Sequence, residues 1–316
     1  MPLAPLYAAG SALRWIGNKP LRLKWPVVSV GSLSAGGAGK TPFVIALARL
    51  IAEHGRRVDV LSRGYGRTDA GVARVDAAGF AERFGDEPLL IAREAQVPVF
   101  VGAQRFDAGR LAESEGEVEV HLLDDGFQHR QLYRQVDIVL VSSEDLKDWL
   151  LPAGNRREPL SALRRATAFA VAEGDDAAVE RLEQMRLSVS FGWPVWRFRR
   201  EMVVPEVPGP VVAFCGIARP GQFFSGLERA GVKVVGRRAF PDHHRFSERD
   251  LADLRRMALE TGAAGFVTTG KDAVRLNGYP YTYLDRLGLP VAVANVQVIF
   301  PEKDGPIAGL WGWRVC

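Results

Sequence analysis

The stretch Gly31-Ser-Leu-Ser-Ala-Gly-Gly-Ala-Gly-Lys-Thr41 has the residue types needed to hold a chain of phosphates. Its glycines let backbone N–H groups turn toward phosphate oxygens, and the helix expected to open at Pro42 adds its positive end. Lys40 can reach the β- and γ-phosphates, and the Thr41 hydroxyl is a ligand for Mg²⁺. Ser34 stands where the consensus G-x-x-x-x-G-K-[ST] has its first glycine. The residues expected to contact ATP are Ser34, Ala35, Gly36, Gly37, Ala38, Gly39, Lys40 and Thr41.

This phosphate loop alone is found in several classes of nucleotide-binding protein. Partition-type ATPases carry an additional lysine before the glycine pair, where this chain has Ala35. GTPases carry a base-reading Asn-Lys-x-Asp sequence, which this chain lacks. Kinases and other ATPases remain open at this point.

A second group of polar residues follows the apolar run Val118–Leu123. Asp124 and Asp125 end this run, and an Asp at such a strand end holds Mg²⁺ directly or through water in P-loop enzymes. The continuation Gly126-Phe-Gln-His-Arg130 adds polar side chains at the carboxyl edge of the sheet, where open α/β sheets bind ligands. A capped strand followed by a turn is the structural alternative.

Asp86 and the pair His243-His244 have ordinary explanations when each is considered alone. Asp86 precedes a helical stretch and could be its N-cap. A single histidine is usually structural, although an imidazole can also transfer a proton or orient a carboxylate. Neither position establishes a function without a partner.

The elements that must position these residues alternate along the chain. Apolar strand-like runs separated by helical stretches predict an α/β fold with a parallel sheet covered by helices on both faces. The stretch 193–210 contains four prolines and several arginines, which indicates a linker. We therefore predict a P-loop NTPase-like domain over residues 1–192, a linker over 193–210, and a smaller α/β domain over 211–316 that closes over the active site.

Composition narrows the setting. The chain of 316 residues has 41 Lys and Arg against 37 Asp and Glu, a mild basic excess that favours anionic partners without choosing among them. The two cysteines form no disulfide framework, and no apolar run approaches the roughly 18 residues of a membrane span. Residues 1–17 have an apolar stripe followed by cations, which suits a helix in a bilayer interface or a helix packed on the domain. The stripe consists of Leu3, Leu6, Leu13 and Ile16.

Seven stretches carry a resemblance that covers nearly the whole chain. They are Val28–Pro42, Ser62–Gly66, Gly85–Pro88, Leu123–Arg130, Leu151–Leu160, Phe240–His244 and Thr268–Leu276. In this order and combination they resemble the tetraacyldisaccharide 4′-kinase family, the lipid A 4′-kinases. Ser32, Ala38 and Gly270 replace residues that are common in the family, but none of the three is assigned to the chemistry.

The resemblance implies transfer of the ATP γ-phosphoryl group to the 4′-hydroxyl of a tetraacyldisaccharide 1-phosphate, with Mg²⁺ as cofactor. It implies Asp86 as the candidate base, oriented by His243 from the second domain, with Lys40 and Asp125 completing the catalytic set. The implied metal ligands are Thr41, Asp124, Asp125 and Glu158, and the implied substrate contacts are Arg105, Gln128 and Arg157.

The same resemblance implies a peripheral protein at the cytoplasmic face of the inner membrane, since an acylated substrate stays in the bilayer. It favours the interfacial reading of residues 1–17 and implies neither a nucleic acid nor an obligate protein partner. Two alternatives remain: a P-loop kinase or ATPase for a soluble metabolite, and a nucleotide-controlled membrane switch. The carboxylates expected near the phosphate loop argue against the switch.

Overall fold

The structure is a computed structural model that describes residues 19–36, 39–116, 118–189, 194–207, 209–276, 284–302 and 310. The predicted interfacial helix over residues 1–17 lies outside them, as do Gly37 and Ala38 of the phosphate loop. Within the described ranges, no helix is long and apolar enough to cross a membrane.

The described strands form one continuous 12-stranded sheet. Its seven strands from the first part of the chain, here the first sheet, lie in the order β7-β6-β1-β5-β2-β4-β3. All neighbours in it are parallel except β3 and β4. The strands are β1 (Val27–Ser32), β2 (Val58–Ser62), β3 (Ala73–Arg74), β4 (Val99–Val101), β5 (Val120–Asp124), β6 (Val136–Leu140) and β7 (Ala168–Ala172).

Helices connect these strands and supply the other half of each core. They are α1 (Lys40–Glu53), α2 (Ala81–Phe84), α3 (Asp86–Ala95), α4 (Arg105–Glu115), α5 (Ser143–Lys147) and α6 (Asp176–Val189), with a 3₁₀ helix at Leu160–Arg165. Alternate residues of β1 enter different cores. Val28 and Val30 pack in the cluster that contains Phe43 of α1, whereas Val27 packs in the cluster that contains Ala108 of α4. The period-2 alternation of strand side chains therefore buries both faces of this sheet.

The second part of the chain adds five strands and three helices. They are β8 (Val195–Val203), β9 (Val211–Cys215), α7 (Pro220–Arg229), β10 (Val234–Ala239), α8 (Glu248–Thr261), β11 (Gly265–Thr269), α9 (Gly270–Leu276) and β12 (Val291–Ile299), with a 3₁₀ helix at Asp285–Leu287. Strands β10, β9, β11 and β12 lie side by side in this order and are parallel. The predicted fold class, a P-loop-like parallel sheet with a second smaller α/β unit, is confirmed.

A two-stranded ribbon joins the two sheets. The first half of β8 pairs with β7 in parallel, and its second half, Arg199–Val203, pairs with Asn295–Ile299 of β12 in antiparallel fashion. Strand β8 lies inside the stretch 193–210 that we expected to be a linker, so much of that stretch is regular structure. Pro194 comes directly before this strand and Pro205 follows two residues after it, so neither proline lies within it.

The ribbon also packs against the helix that follows the phosphate loop. Phe43 of α1 makes edge-to-face contacts with Phe198 of β8 and with Phe300, with ring centroids 5.3 and 5.2 Å apart. All three rings are buried. The orientation of α1, and with it the phosphate loop, thus depends on residues from both parts of the chain.

Candidate active site

The phosphate loop connects β1 to α1 and ends at Gly39, which caps α1 in a left-handed conformation with φ of 74°. The positive φ favours glycine at this position, and a Cβ atom there would lie 2.8 Å from a guanidinium nitrogen of Arg200 on β8, so that guanidinium would have to shift. Lys40 Nζ donates to Ser32 Oγ at 3.2 Å and lies 3.4 Å from Asp125 Oδ1. The ammonium group is therefore held beside the loop by contacts that an incoming phosphate can replace.

Asp125 follows β5 and has an unusual backbone angle for a residue that is not glycine, with φ of 49°. Both of its carboxylate oxygens accept from the Arg157 guanidinium, at 2.8 and 2.9 Å, and Arg157 also donates to the carbonyl of Ser34. Burial raises the pKa of Asp125, but the charges of Lys40 and Arg157 outweigh burial and hold this pKa well below its usual range. Asp125 is therefore ionised, and Arg157 ties it to the phosphate loop.

Asp124 precedes Asp125, and its pKa shifts in the opposite direction. Its carboxylate is buried and accepts from Ser62 Oγ at 3.1 Å. Burial, together with the nearby carboxylates Glu87 and Asp125, raises the pKa of Asp124 to about 7. A buried carboxyl group that is destabilised as an anion by two others gains from a bound cation.

The donor set fits Mg²⁺ in the way usual for nucleotide enzymes, in which one or two carboxylates act together with phosphates and water. Asp124, Asp125 and the buried Thr41 lie at this edge of the sheet. In the described part of the chain, no group of three or more His, Cys, Asp or Glu side chains forms a cage that could hold a metal. Glu158, which the resemblance places among the ligands, accepts from Arg165 through both carboxylate oxygens, at 2.8 and 3.0 Å.

Asp86 and His243 are in contact, although Asp86 lies in helix α3 of the first part of the chain and His243 lies in a loop of the second part. His243 Nδ1 is 3.0 Å from Asp86 Oδ2, and the Tyr65 ring lies 5.6 Å from the imidazole. Asp86 occupies the first position of α3, and the loop before α8 presents His243 with φ of 57°. The same Asp86 oxygen accepts from Arg275 Nε at 2.5 Å. The predicted pair is therefore present, and a third residue joins it.

The pKa values of Asp86 and His243 shift in opposite directions. The hydrogen bond to Asp86 raises the pKa of His243. Burial raises the pKa of Asp86, but the hydrogen bond from His243 and the charge of Arg275 outweigh burial, so the net shift is downward. The imidazole is thus the stronger base of the two, and the carboxylate orients it.

These groups line one cleft of about 1420 Å³ between the two sheets. Its wall along β2 and β5 carries Arg63, Arg105, Gln128 and His129. Burial and the charge of Arg63 lower the pKa of Arg105 to about 10, and burial and neighbouring arginines lower the pKa of His129 to about 3. Positive charge is therefore concentrated on this wall, and His129 is a neutral imidazole within it.

Several residues of the site were missed by the sequence reasoning. Lys271 Nζ lies 2.5 Å from Glu87 Oε1, next to the contact between Arg275 and Asp86. Lys271 and Arg275 are in the stretch Thr268–Leu276 that carried part of the resemblance, so the signal was present without an assigned role. Arg200 gave no such signal, because it lies in the presumed linker.

Comparisons with known proteins agree with this geometry. A family model described as tetraacyldisaccharide-1-P 4′-kinase, LpxK, matches residues 1–307. A tetraacyldisaccharide 4′-kinase of Koribacter versatilis is 43% identical over 290 residues, which cover 87% of this chain and 88% of that protein. The one of Aquifex aeolicus is 40% identical over 275 residues, which cover 82% of this chain and 81% of that protein.

A solved structure is similar over almost the whole chain. The crystal structure of LpxK from Aquifex aeolicus in complex with ATP superposes with a TM-score of 0.76 and 34% sequence identity, covering 99% of this chain and 97% of that one. The chain therefore belongs to the tetraacyldisaccharide-1-phosphate 4′-kinase family.

Proposed function

We propose that the cleft transfers the γ-phosphoryl group of ATP to the 4′-hydroxyl of a tetraacyldisaccharide 1-phosphate, as the family name states. The observation that carries the proposal is the contact between His243 and Asp86 in the cleft that also contains the phosphate loop. Transfer to an alcohol needs a group that removes the hydroxyl proton as the new P–O bond forms. An attacking water would lose a proton in the same way, so the identity of the acceptor rests on the family to which the chain belongs.

In this mechanism the 4′-oxygen attacks the γ-phosphorus while the bond to the β–γ bridging oxygen breaks and ADP leaves. Asp86 accepts from Nδ1 of His243, which leaves the lone pair on Nε2 to take the hydroxyl proton. The raised pKa of His243 makes this nitrogen a better acceptor. Lys40 and the N–H groups of the loop stabilise charge on the transferred group.

Mg²⁺ is the proposed cofactor, held by Asp124 and Asp125 with the Thr41 hydroxyl. When bound, it would neutralise charge on the phosphates. Arg157 keeps Asp125 ionised and oriented for this role. Glu158 is paired with Arg165 as Asp125 is with Arg157, and it remains the fourth proposed ligand.

The basic wall of the cleft is the proposed contact surface for the acceptor. Arg105 is only 6% exposed, and its NH1 donates to the carbonyl of Ala103, which fixes the guanidinium in the wall. Gln128 donates to the carbonyl of Ser32 and so joins this wall to the phosphate loop. An acceptor that carries a phosphate fits such a surface through charge-assisted hydrogen bonds.

We further propose that the two sheets act as domains that move about the ribbon of β8 and β12. Closure would bring His243 and the phosphate loop together around both substrates, and would limit hydrolysis of ATP by water. The proposed location is the cytoplasmic face of the inner membrane, with residues 1–17 as the interfacial helix. Replacing the four apolar residues of that stripe with serine is expected to weaken sedimentation with vesicles and activity on the lipid, with little change in melting temperature.

The central test is transfer of labelled γ-phosphate from ATP to purified tetraacyldisaccharide 1-phosphate, with the phosphorylated position mapped in the product. A 4′-deoxy acceptor is the matched control and is expected to give no product. ATP turnover at an equal rate without any lipid acceptor would contradict the proposal and favour a soluble substrate. ATP binding with no transfer at all would favour a nucleotide-controlled switch.

A further inference from the structure

Arg275 of α9 stands at the centre of a buried polar network. Its side chain is 6% exposed. Nε donates to Asp86 Oδ2 at 2.5 Å, and NH1 donates both to the carbonyl oxygen of Gly216 at 2.7 Å and to Asp272 Oδ1 at 2.9 Å. One guanidinium group therefore connects α3 of the first sheet with two segments of the second.

Two groups outside α9 accept hydrogen bonds from Arg275, the Asp86 carboxylate and the Gly216 carbonyl. Both of them also contact His243. Asp86 is the partner of the imidazole through Nδ1, and the Gly216 carbonyl accepts from the backbone N–H of His243 at 3.2 Å. His243 has a left-handed backbone conformation, which costs a residue other than glycine about 1 kcal/mol and needs support from its surroundings. Arg275 thus connects the ring partner of His243 to the backbone partner of His243.

The foundation of this arrangement is rigid. Asp272 is fully buried; its Oδ1 accepts from the backbone N–H of Gly216 at 3.0 Å, and its Oδ2 accepts from Thr269 Oγ1 at 2.6 Å. Asp272 therefore anchors Arg275 and Gly216 together. Movement of the guanidinium would break its contacts with the fully buried Asp272 and with the Gly216 carbonyl.

We propose that Arg275 is a positioning residue for phosphoryl transfer, which aligns the His243 imidazole with the acceptor hydroxyl by fixing Asp86 and the Gly216 carbonyl together. The inference rests on the proposed role of His243 as proton acceptor. Docking of α9 onto α3 alone does not require this arrangement, because Lys271 and Glu87 already provide a separate ion pair between the same two helices at 2.5 Å.

The charge of Arg275 gives the proposal a measurable signature. The charged and titratable groups that face His243 are Asp86, Arg275, Asp242 and Tyr65. The hydrogen bond to Asp86 raises the pKa of His243, whereas the charge of Arg275 opposes that effect. Since the neutral imidazole is the active form, loss of the Arg275 charge is expected to move the acidic limb of the kcat profile to higher pH.

The experiment compares Arg275→Gln with Arg275→Lys and with two reference variants in the full-length protein. Arg256 forms a surface ion pair with Asp253 on α8. Arg256→Gln is therefore the matched control for loss of an arginine from a helix in the second part of the chain. Lys271→Met removes the neighbouring ion pair between α9 and α3, and so measures the effect of weaker helix docking. Melting temperature and ATP binding are measured for each variant.

We expect Arg275→Gln to lower kcat by roughly 100-fold, within the range of lost acid–base catalysis, with the KM for ATP changed by less than about threefold. We expect the acidic limb to move to higher pH in Arg275→Gln, to move less in Arg275→Lys, and to stay in place in Arg256→Gln and Lys271→Met. Arg275→Lys keeps the charge and is expected to recover about tenfold of the lost kcat.

Three results would overturn the proposal: an unchanged kcat in Arg275→Gln, a loss without movement of the acidic limb, or an equal movement in Lys271→Met. If Arg275→Gln is inert while His243→Ala still abolishes transfer, the positioning role fails and the proposed function stands. If His243→Ala retains full turnover, the assignment of the proton acceptor fails instead. If Arg275→Gln does not fold, Arg275→Lys is compared with the wild type instead, and its kcat and the position of its acidic limb test the proposal.

Discussion

The contact between Asp86 and His243 supports a prediction that separates catalysis from stability. Asp86→Asn keeps the shape of the side chain but removes the carboxylate whose hydrogen bond, together with its charge, raises the pKa of His243. His243→Gln removes the proton acceptor and leaves the ion pair between Asp86 and Arg275 in place. The two variants therefore damage the same catalytic unit, but only Asp86→Asn removes one of the two carboxylates that pair with the buried Arg275.

The magnitudes follow from burial and from the number of contacts. Either variant is expected to lose roughly 10²- to 10⁴-fold in turnover, the usual contribution of general base catalysis. For stability, Arg275 is 6% exposed, so Asp86→Asn is expected to lower the free energy of unfolding by about 1–3 kcal/mol. His243 is 39% exposed, and its replacement is expected to cost less than about 1 kcal/mol.

The pH dependence has a defined sign. Because the pKa of Asp86 is lowered on folding, its contribution to stability is present above the unfolded value of 3.8 and is lost as the pH falls through the folded value. The stability difference between wild type and Asp86→Asn is therefore expected to shrink in acid. In the kcat profile, Asp86→Asn is expected to move the acidic limb to lower pH, because the imidazole loses the partner that raises its pKa.

The assay is steady-state transfer to the lipid acceptor for the two single variants and the double variant, together with urea unfolding. If Asp86 and His243 act as one unit, the double variant is expected to be little worse than the poorer single variant. Fully additive losses in the logarithm of kcat would refute the coupled pair. Equal stability losses in the two single variants would refute the assignment of Arg275 as the dependent cation.

Three further predictions concern the phosphate side of the cleft. Lys40→Ala is expected to lower turnover by several powers of ten while the melting temperature stays within a few degrees; near-normal turnover of the folded variant would contradict the role of this lysine. Because burial raises the pKa of Asp124 to about 7, protons compete with Mg²⁺, so the Mg²⁺ concentration for half-maximal rate is expected to rise as the pH falls below about 7. Asp124→Asn is expected to abolish this pH dependence, and its persistence would place the titrating group elsewhere. Gly31→Ala would put a Cβ atom 2.5 Å from Phe127 Cβ and is expected to lower the free energy of unfolding by about 1–3 kcal/mol in urea, where an unchanged midpoint would contradict the packing.

The parts of the fold that rest on local pattern could be predicted from the sequence. Continuous apolar runs such as Ala168–Ala172 are strands because a parallel sheet buries both of their faces. The phosphate loop was likewise identified from a local pattern, a glycine-rich turn with a strand before it and a helix after it. These signals are contained in a few consecutive residues.

The ribbon could not be predicted in this way. Strand β8 has alternating basic and apolar residues between prolines, and it becomes a strand only because β7 and β12 are available to pair with it. The partner β12 lies far along the chain, so the pairing depends on tertiary structure. Context of this kind overrides local propensity.

The same limit explains why Arg275 was missed. The role of Arg275 depends on its contact with Asp86, which lies 189 positions away in the sequence. Only the topology of the fold brings the two residues together. Asp86 itself was assigned by resemblance, because local sequence favoured a helix cap. Catalytic pairs that span two sheets are therefore the part of such a site that local reasoning finds last.

The position of β12 in the middle of the assembled strands has a consequence for the way the protein is made. Its first half pairs with β11, its second half pairs with β8, and Phe300 just beyond it covers Phe43 of α1. A nascent chain that has not reached Val291 therefore exposes two unpaired strand edges, although its phosphate loop left the ribosome long before. Unpaired edges of this kind recruit other strands, so this interval is when the nascent chain most depends on a chaperone. Residues 294–299 of β12 line the cleft, so the cleft is complete only after this strand has been made and has paired with its neighbours.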